Sequence, residues 1–319
     1  MQEIKLKNLF GKDILLRIVD NQEEANFITH SGTFHADEVM STVILLNSFD
    51  EIKLYRTNVV YNNKAIVYDI SPSIYDHHDV EFNRIRENGI KYASCGLIWD
   101  AFGKEIIKKL DIENIDDFFK TVDKNLIMDI DRDDNGQSLN VIPPIKIQTL
   151  PNLISYFNPQ WDENIDENKC FLDAVSFANT VFNNIIKKMI SNLNARKIVN
   201  EKIKEANDGI LILDKYMPWK DVVLTNADGL SKKILCAVFP SKRGGYNVVS
   251  TPKELNSFDV KKSFPKKWAG KEKEELRRIS GIKTINFCHK GLFLCACDTY
   301  DDAIKIAKIL VEEKDNQDE

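Results

Sequence analysis

Four of the chain's five histidines fall in two short clusters interleaved with acids. His30 and His35 lie in THSGTFHADE (Thr29–Glu38), and His77 and His78 in YDHHD (Tyr75–Asp79). The fifth is His289. Imidazole is the commonest nitrogen ligand for transition metals, and Asp is the matching hard oxygen ligand. Clustered His with interleaved Asp is the composition of a dinuclear manganese- or iron-type site. In His30-x4-His35-x-Asp37, a strand end looping into a helix can turn three side chains towards one point. A bridging carboxylate is needed to hold two cations roughly 3.5–4 Å apart. Asp69, at the end of a short apolar run, is suited to that. In the loop tripeptide Asp76-His77-His78, adjacent rings can point to different targets, one to metal and one to substrate. The acidic run Asp129–Asp134, just before Gly136, offers a further carboxylate, with Asp131 and Asp134 as alternatives. Alone, each segment reads as ordinary polar structure: a hydrogen-bonded histidine, a solvated loop, a helix end. Their conjunction points to a metal site.

These residues need strands and helices to converge. Ala25–His30 reads as a strand. Asp37–Phe49 places Val39, Val43, Leu46 and Phe49 at helical spacing, with Asp37 and Glu38 in the first turn, where the helix dipole favours acids. Ile52–Tyr55 and Lys64–Ile70 read as strands, Ser71–Gly89 as a long loop, Ser94–Leu110 and Ile115–Ile130 as helices. Strands alternating with helices predict an α/β fold with a mostly parallel sheet, whose ligands collect beyond the carboxyl ends of the strands. His30 and Asp69 both fall at such ends. Pro143–Pro144 and Pro151 punctuate a loop. Asp166–Asp208 reads as one long, bent helical connector between a domain at 1–165 and a second, smaller α/β domain at 209–319. In the latter, Ile210–Leu213, Ile234–Phe239, Tyr246–Ser250, Thr284–Cys288 and Phe293–Cys297 read as strands. Lys271–Ile279 and Asp301–Glu312 read as helices. The tail Glu312–Glu319 is charged and expected to fray.

With 43% hydrophobic and 29% charged residues, the composition is that of a soluble globular protein with a core. The net charge of −5 excludes a broad basic surface for nucleic acid, so any such contact is local. An acidic balance also suits a carboxylate-rich site neutralised by metal. The six cysteines form no C-x-x-C pair and are expected to be buried thiols in a reducing cytoplasm. No signal peptide or membrane span is expected. The sequence leaves the oligomeric state open, a homodimer included.

The order of motifs resembles the DHH phosphoesterase superfamily of exonucleases, oligoribonucleases and manganese pyrophosphatases. More closely, it resembles the melanocyte-proliferating-gene exonuclease family. The resemblance is carried by Thr29–Glu38, Tyr75–His78, Ser94–Ile98, Asp131–Gly136, Asn158–Trp161, Pro218–Trp219, Pro252–Trp268 and Gly281–Ile282, nearly the whole chain. It implies a DHH-like catalytic domain followed by a substrate-binding domain. It also implies two divalent cations, Mn²⁺ or Mg²⁺: one on His30, His35 and Asp69, the other on Asp37, His77 and Asp131, with Asp69 bridging. Asp76 would orient His77, and His78 would face the scissile phosphate. Lys242, Arg243, Gly244, Gly245 and His289 would lie near substrate. The family's Gly-Gly pair after the His289 segment is replaced here by Cys295 and Ala296, which changes how closely backbone can approach a phosphate.

The expected activity is a two-metal hydrolysis of a phosphodiester. The resemblance implies a 3′-to-5′ exonuclease acting on RNA, with single-stranded DNA as a further substrate. The aromatics and lysines of Phe264–Trp268 read either as a base-stacking platform or as a loop with a buried Trp. A second reading keeps the metals and takes small nucleotides, very short oligonucleotides or pyrophosphate. A third is a metal-stabilised interaction protein without turnover.

Overall fold

The computed structural model describes residues 2–62, 64–79, 81–139, 145, 147–226 and 228–313. Pro143–Pro144 and the tail beyond residue 313 lie outside these. The chain divides into two compact units, Met1–Lys187 and Lys188–Glu319. The division falls inside one uninterrupted helix, α6 below, where the sequence suggests a connector.

Unit 1 is built from β1 (Gln2–Lys7), β2 (Asp13–Ile18), β3 (Phe27–Thr29), α1 (Ala36–Leu46), β4 (Glu51–Arg56), β5 (Ile66–Val67), α2 (Ser94–Lys108), α3 (Ile115–Val122), α4 (Met128–Asp134), α5 (Leu150–Ser155) and the start of α6 (Glu167–Glu205). Its sheet has the order β1-β2-β4-β3-β5. The β2–β4, β4–β3 and β3–β5 pairs are parallel, as the alternation of strands and helices predicts. The sheet is nevertheless mixed, because β1 and β2 form an antiparallel hairpin on its edge. This hairpin is absent from the strands expected above. Its residues alternate as a half-buried strand requires, since Ile4 and Leu6 turn to the half-buried face while Glu3, Lys5 and Lys7 face solvent.

Two further differences shape the site. The strand expected over Lys64–Ile70 is only Ile66–Val67, because Asp69 adopts a left-handed backbone (φ 55°) that turns the chain out of the sheet. Asp tolerates that region better than most residues. The helix expected over Ile115–Ile130 is interrupted by a π-helical turn at Asp123–Ile127, after which α4 continues to Asp134. Such insertions re-register a helix face and recur at functional sites.

Every residue of α1 is buried, including Asp37 and Glu38, neither of which has any exposed surface. Amphipathic spacing therefore understates how deeply this helix sits: its polar first turn is as buried as its apolar face.

Unit 2 contains the rest of α6 with β6 (Ile210–Ile212), α7 (Lys220–Thr225), α8 (Gly229–Lys233), β7 (Cys236–Pro240), β8 (Tyr246–Ser250), α9 (Lys273–Ser280), β9 (Ile285–Cys288), β10 (Leu294–Cys297) and α10 (Tyr300–Glu312). The sheet order is β6-β7-β8-β10-β9, parallel at β6–β7 and antiparallel elsewhere. Phe264 and Trp268 are 0% and 1% exposed and stack on each other in the core, with ring centroids 6.2 Å apart. They are packing residues, not a platform for bases. Among the described residues no helix is long and apolar enough to cross a membrane. All six cysteines are free thiols, five of them buried.

Candidate metal centre

β3 and β5 are adjacent parallel strands, and the residues just past their ends, His30 and Asp69, meet. This is where an α/β sheet collects ligands. Asp69, 3% exposed, is the centre of the cluster. Its Oδ2 lies 3.4 Å from His30 Nε2; its Oδ1 lies 3.6 Å from His77 Nε2 and accepts a hydrogen bond from Ser94 Oγ at 3.2 Å. One carboxylate thus faces three histidines: His30 from the first sequence cluster, and His77 and His78 from the second, the His78 Nδ1 lying 3.7 Å from Oδ1.

On the Oδ2 side, His30 Nε2 lies 2.9 Å from Glu38 Oε1, while its Nδ1 is 3.2 Å from Ser31 O, a contact that only an Nδ1–H can make attractive. Both Glu38 oxygens accept from the His35 backbone N–H at 3.0 Å. His30, His35 and Glu38 each bring a ligand atom within 4.8 Å of the others. The sequence presents Glu38 as a first-turn acid; its His35-x-x-Glu38 spacing, that of a capping box, is the local signal that brings it to the loop.

On the Oδ1 side, Asp37, His77 and Asp134 converge in the same way. His77 Nε2 is 2.9 Å from Asp134 Oδ2, 3.6 Å from Asp69 Oδ1 and 3.8 Å from Asp37 Oδ2. It is nevertheless buried without an aligned hydrogen bond. A nitrogen ringed by three carboxylates and satisfied by none suits a cation held among them. The donor set of imidazole nitrogens and carboxylate oxygens suits Mn²⁺ or a similar ion.

The two acids that the sequence left as alternatives are placed differently. Asp134 reaches His77. Asp131, fully buried, accepts from Gly96 N at 2.9 Å and lies 2.8 Å from Arg86 Nη2, which also pairs with Asp123 at 2.6 Å. The Asp37 carboxylate accepts from Ser94 N (2.9 Å) and Cys95 N (2.6 Å). Asp37 and Asp131 together cap the start of α2, where anions meet free N–H groups and the positive end of the dipole. Gly96 is required there, since a Cβ would overlap the Asp131 carboxylate and the Tyr92 ring. We expect Gly96→Ala to destabilise the protein by about 1–3 kcal/mol, read from chemical denaturation.

Asp76 touches a different histidine from the one expected. Its Oδ1 pairs with His78 Nδ1 at 2.7 Å and its Oδ2 accepts from Ser71 Oγ at 2.5 Å. His78 is thereby held through Nδ1 while its side chain remains 60% exposed.

The charges are strained as they stand. Burial opposes the charged form of His30, yet Asp69 and Glu38 outweigh it and push the ring up to about 10. His77 behaves likewise: burial opposes, Asp134 and Asp69 prevail, and it too rises to about 10. Burial, then the neighbouring charges of Asp69, Asp134 and Asp131, pushes the Asp37 carboxyl well up. Burial also raises Glu38, with His30 opposing. Asp69 is the exception: burial would raise it, but His30 and His77 hold it below the usual carboxylate range. Burial lifts Asp131 to about 7 against the pull of Arg86. A cluster of buried carboxylates that draws protons onto its histidines needs positive charge, which bound cations supply.

In unit 2, Lys242–Gly245 form the β7–β8 turn, with Gly244 and Gly245 at φ 93° and 66°. A Cβ at Gly245 would overlap the Cys297 carbonyl. All four line a cleft of about 980 Å³, together with Trp219, Lys220, Phe287 and Phe293. Ala296 lines it as well. His289 does not; its Nδ1 accepts from Gly291 N at 2.9 Å, and its ring packs on Phe293.

Residues 26–311 match the family described as "Uncharacterised protein family (UPF0160)", short name MYG1_exonuc. The chain belongs to the MYG1 exonuclease family. MYG1 relatives of similar length are found across distant organisms. A MYG1 protein of Schizosaccharomyces pombe is 26% identical, with 88% of this chain and 95% of the relative covered. The MYG1 protein of Dictyostelium discoideum is 28% identical, covering 88% and 94%. The human protein named MYG1 exonuclease is 24% identical, covering 90% and 85%. No solved structure matches the chain.

Proposed function

We propose that this MYG1 chain is a metal-dependent phosphodiesterase, a 3′-to-5′ exonuclease on RNA, whose unit 1 works as a DHH-like catalytic domain. The observation that carries the reading is Asp69, whose two oxygens face His30 and His77 from between two ligand clusters. Relatives named exonucleases support the reaction class.

We assign His30, His35, Glu38 and Asp69 to one divalent cation, Mn²⁺ or Mg²⁺. Asp37, His77, Asp134 and Asp69 hold the other. Asp134 is preferred to Asp131 because its Oδ2 lies 2.9 Å from His77 Nε2, whereas Asp131 accepts from Gly96 N and faces Arg86. Such a pair of ions acidifies a water and neutralises phosphate charge. The chain's own contribution is positional. Asp76 accepts from His78 Nδ1–H, so that the imidazolium form of the ring would also present Nε2–H to a phosphate oxygen as charge develops there. Residues 1–165 act as the catalytic domain, 166–208 as the connector and 209–319 as the substrate-binding domain. Lys242 and Arg243, on the glycine turn between β7 and β8, grip a phosphate of the strand.

Hydrolysis of a 24-mer RNA compared with dinucleotides, with Mn²⁺ present, tests the substrate. Faster cleavage of the 24-mer is expected, shortening from its 3′ end. Inertness of both sinks the nuclease reading. Preference for dinucleotides selects the small-substrate alternative, which the net charge of −5 favours because long polyanions gain from broad basic surfaces.

Metal uptake should also release protons. His30 and His77, both raised to about 10, must be neutral to ligate. Below that pH, apparent affinity therefore rises with pH. Calorimetric titration with Mn²⁺ in buffers of different ionisation heat reads the released protons; proton-neutral binding at pH 7 would contradict the assignment.

A further inference from the structure

The loop that carries His30 and His35 is gripped by two residues that are not ligands. Arg56, the last residue of β4, is 7% exposed. Its guanidinium donates to the carbonyls of His30 (Nε, 3.3 Å) and Gly32 (Nη2, 2.8 Å) and to Asn168 Oδ1 (Nη1, 3.3 Å). It sits over the rings of Phe171 and Phe34, at 4.6 and 5.7 Å from their centroids. These hydrogen bonds go to carbonyl and amide oxygens rather than to carboxylates, in a place where burying a cation is costly. From the other direction, Asn158 Oδ1 accepts from Phe34 N at 2.9 Å, and its Nδ2 donates to Phe34 O at 2.8 Å.

The consequence is geometric. Between His30 and His35 the chain turns through Gly32 at φ 89°. One planar fork bridging the carbonyls of residues 30 and 32 sets the curvature of that turn. Asn158 fixes both backbone polar groups of Phe34, the residue before His35. A lysine at position 56 would carry the same charge but lacks the rigid fork that spans two acceptors. The contacts described for Asp37, His77 and Asp134 involve α1, α2, α4 and the loop after β5, and none involves Arg56.

We propose that Arg56, with Asn158, is a positioning residue for the His30–His35 metal position alone. The two clamps hold the ligand-bearing loop from outside and leave its imidazoles to the ion. The two metal positions are therefore separable: one depends on this clamp and the other does not. This rests on the dinuclear reading above.

The test is Mn²⁺ titration of the full chain as wild type, Arg56→Lys and Asn158→Ala, read by bound-metal stoichiometry and electron paramagnetic resonance. Wild type is expected to bind two ions with a spin-coupled signal. Each variant is expected to keep one ion at wild-type affinity and to bind the second at least about tenfold more weakly. Its spectrum should change to that of an isolated Mn²⁺. Two ions at wild-type affinity in Arg56→Lys would show that charge, not the fork, matters, and would overturn the proposal. Equal weakening of both ions in the folded variants would overturn it too. Fewer than two ions in wild type would overturn the dinuclear reading itself, and the proposal with it.

Discussion

Asp69→Asn is expected to empty both metal positions while leaving the protein folded. The substitution keeps the size of the side chain and an oxygen for Ser94 Oγ. Asn is also among the residues that best accept the left-handed backbone found here at φ 55°. What it removes is the one charge lying between His30 and His77, at 3.4 and 3.6 Å. Bound Mn²⁺ should fall from two ions to fewer than one, and phosphodiester hydrolysis by roughly a thousandfold or more. Asp131→Asn is the contrast: Asp131 accepts from Gly96 N through Oδ1 and turns Oδ2 to Arg86 rather than to His77, so metal content should change little and stability should fall. Metal analysis, hydrolysis rates and thermal melts of the two variants separate these roles. Metal retention in Asp69→Asn would remove the basis for a shared carboxylate.

His78→Gln should have the opposite signature. His78 is 60% exposed and sits at the rim of the ligand cluster: its Nδ1 pairs with Asp76 at 2.7 Å and lies 3.7 Å from Asp69 Oδ1, and we assign its outward edge to the substrate. Metal content should stay at the wild-type level while kcat falls about 10²–10³-fold, the scale set by losing one donor to a developing phosphate charge. Asp76→Asn should give a smaller loss of the same kind, because it frees the ring without removing it. If metal content and turnover both survive His78→Gln, the role given to His78 is wrong. A wild-type chain that binds metal and hydrolyses nothing would favour the interaction-protein reading.

The site was legible where chemistry is local in sequence. THSGTFHADE and YDHHD name their own candidates, and the expected strand ends place His30 beside Asp69. What stayed hidden depends on packing between distant segments. Asp131 and Asp134 sit three residues apart on α4, and only the approach of α2 through Gly96 decides which of them meets His77. Asp76 touches His78 rather than His77 because the loop closes back through Ser71. Arg56 and Asn158 carry no metal-ligand chemistry, and although Asn158 opens the Asn158–Trp161 segment of the resemblance, only packing ties either residue to the His30–His35 loop. The fold was readable in the same measure. Periodicity located α1, α2 and the unit 2 strands, but not the π-helical turn at Asp123–Ile127, which preserves an apolar helical pattern while shifting its face. The FPKKW segment shows the limit of composition: aromatics beside lysines describe a nucleic-acid platform and a buried core stack equally well, and burial decides for the core.

The most direct test of the dinuclear centre is a crystal structure of the Mn²⁺-loaded chain with anomalous scattering recorded at the manganese edge. Two peaks roughly 3.5–4 Å apart are expected, with Asp69 spanning them, His30, His35 and Glu38 on one, and Asp37, His77 and Asp134 on the other. A single peak, or two peaks that do not share Asp69, would contradict it.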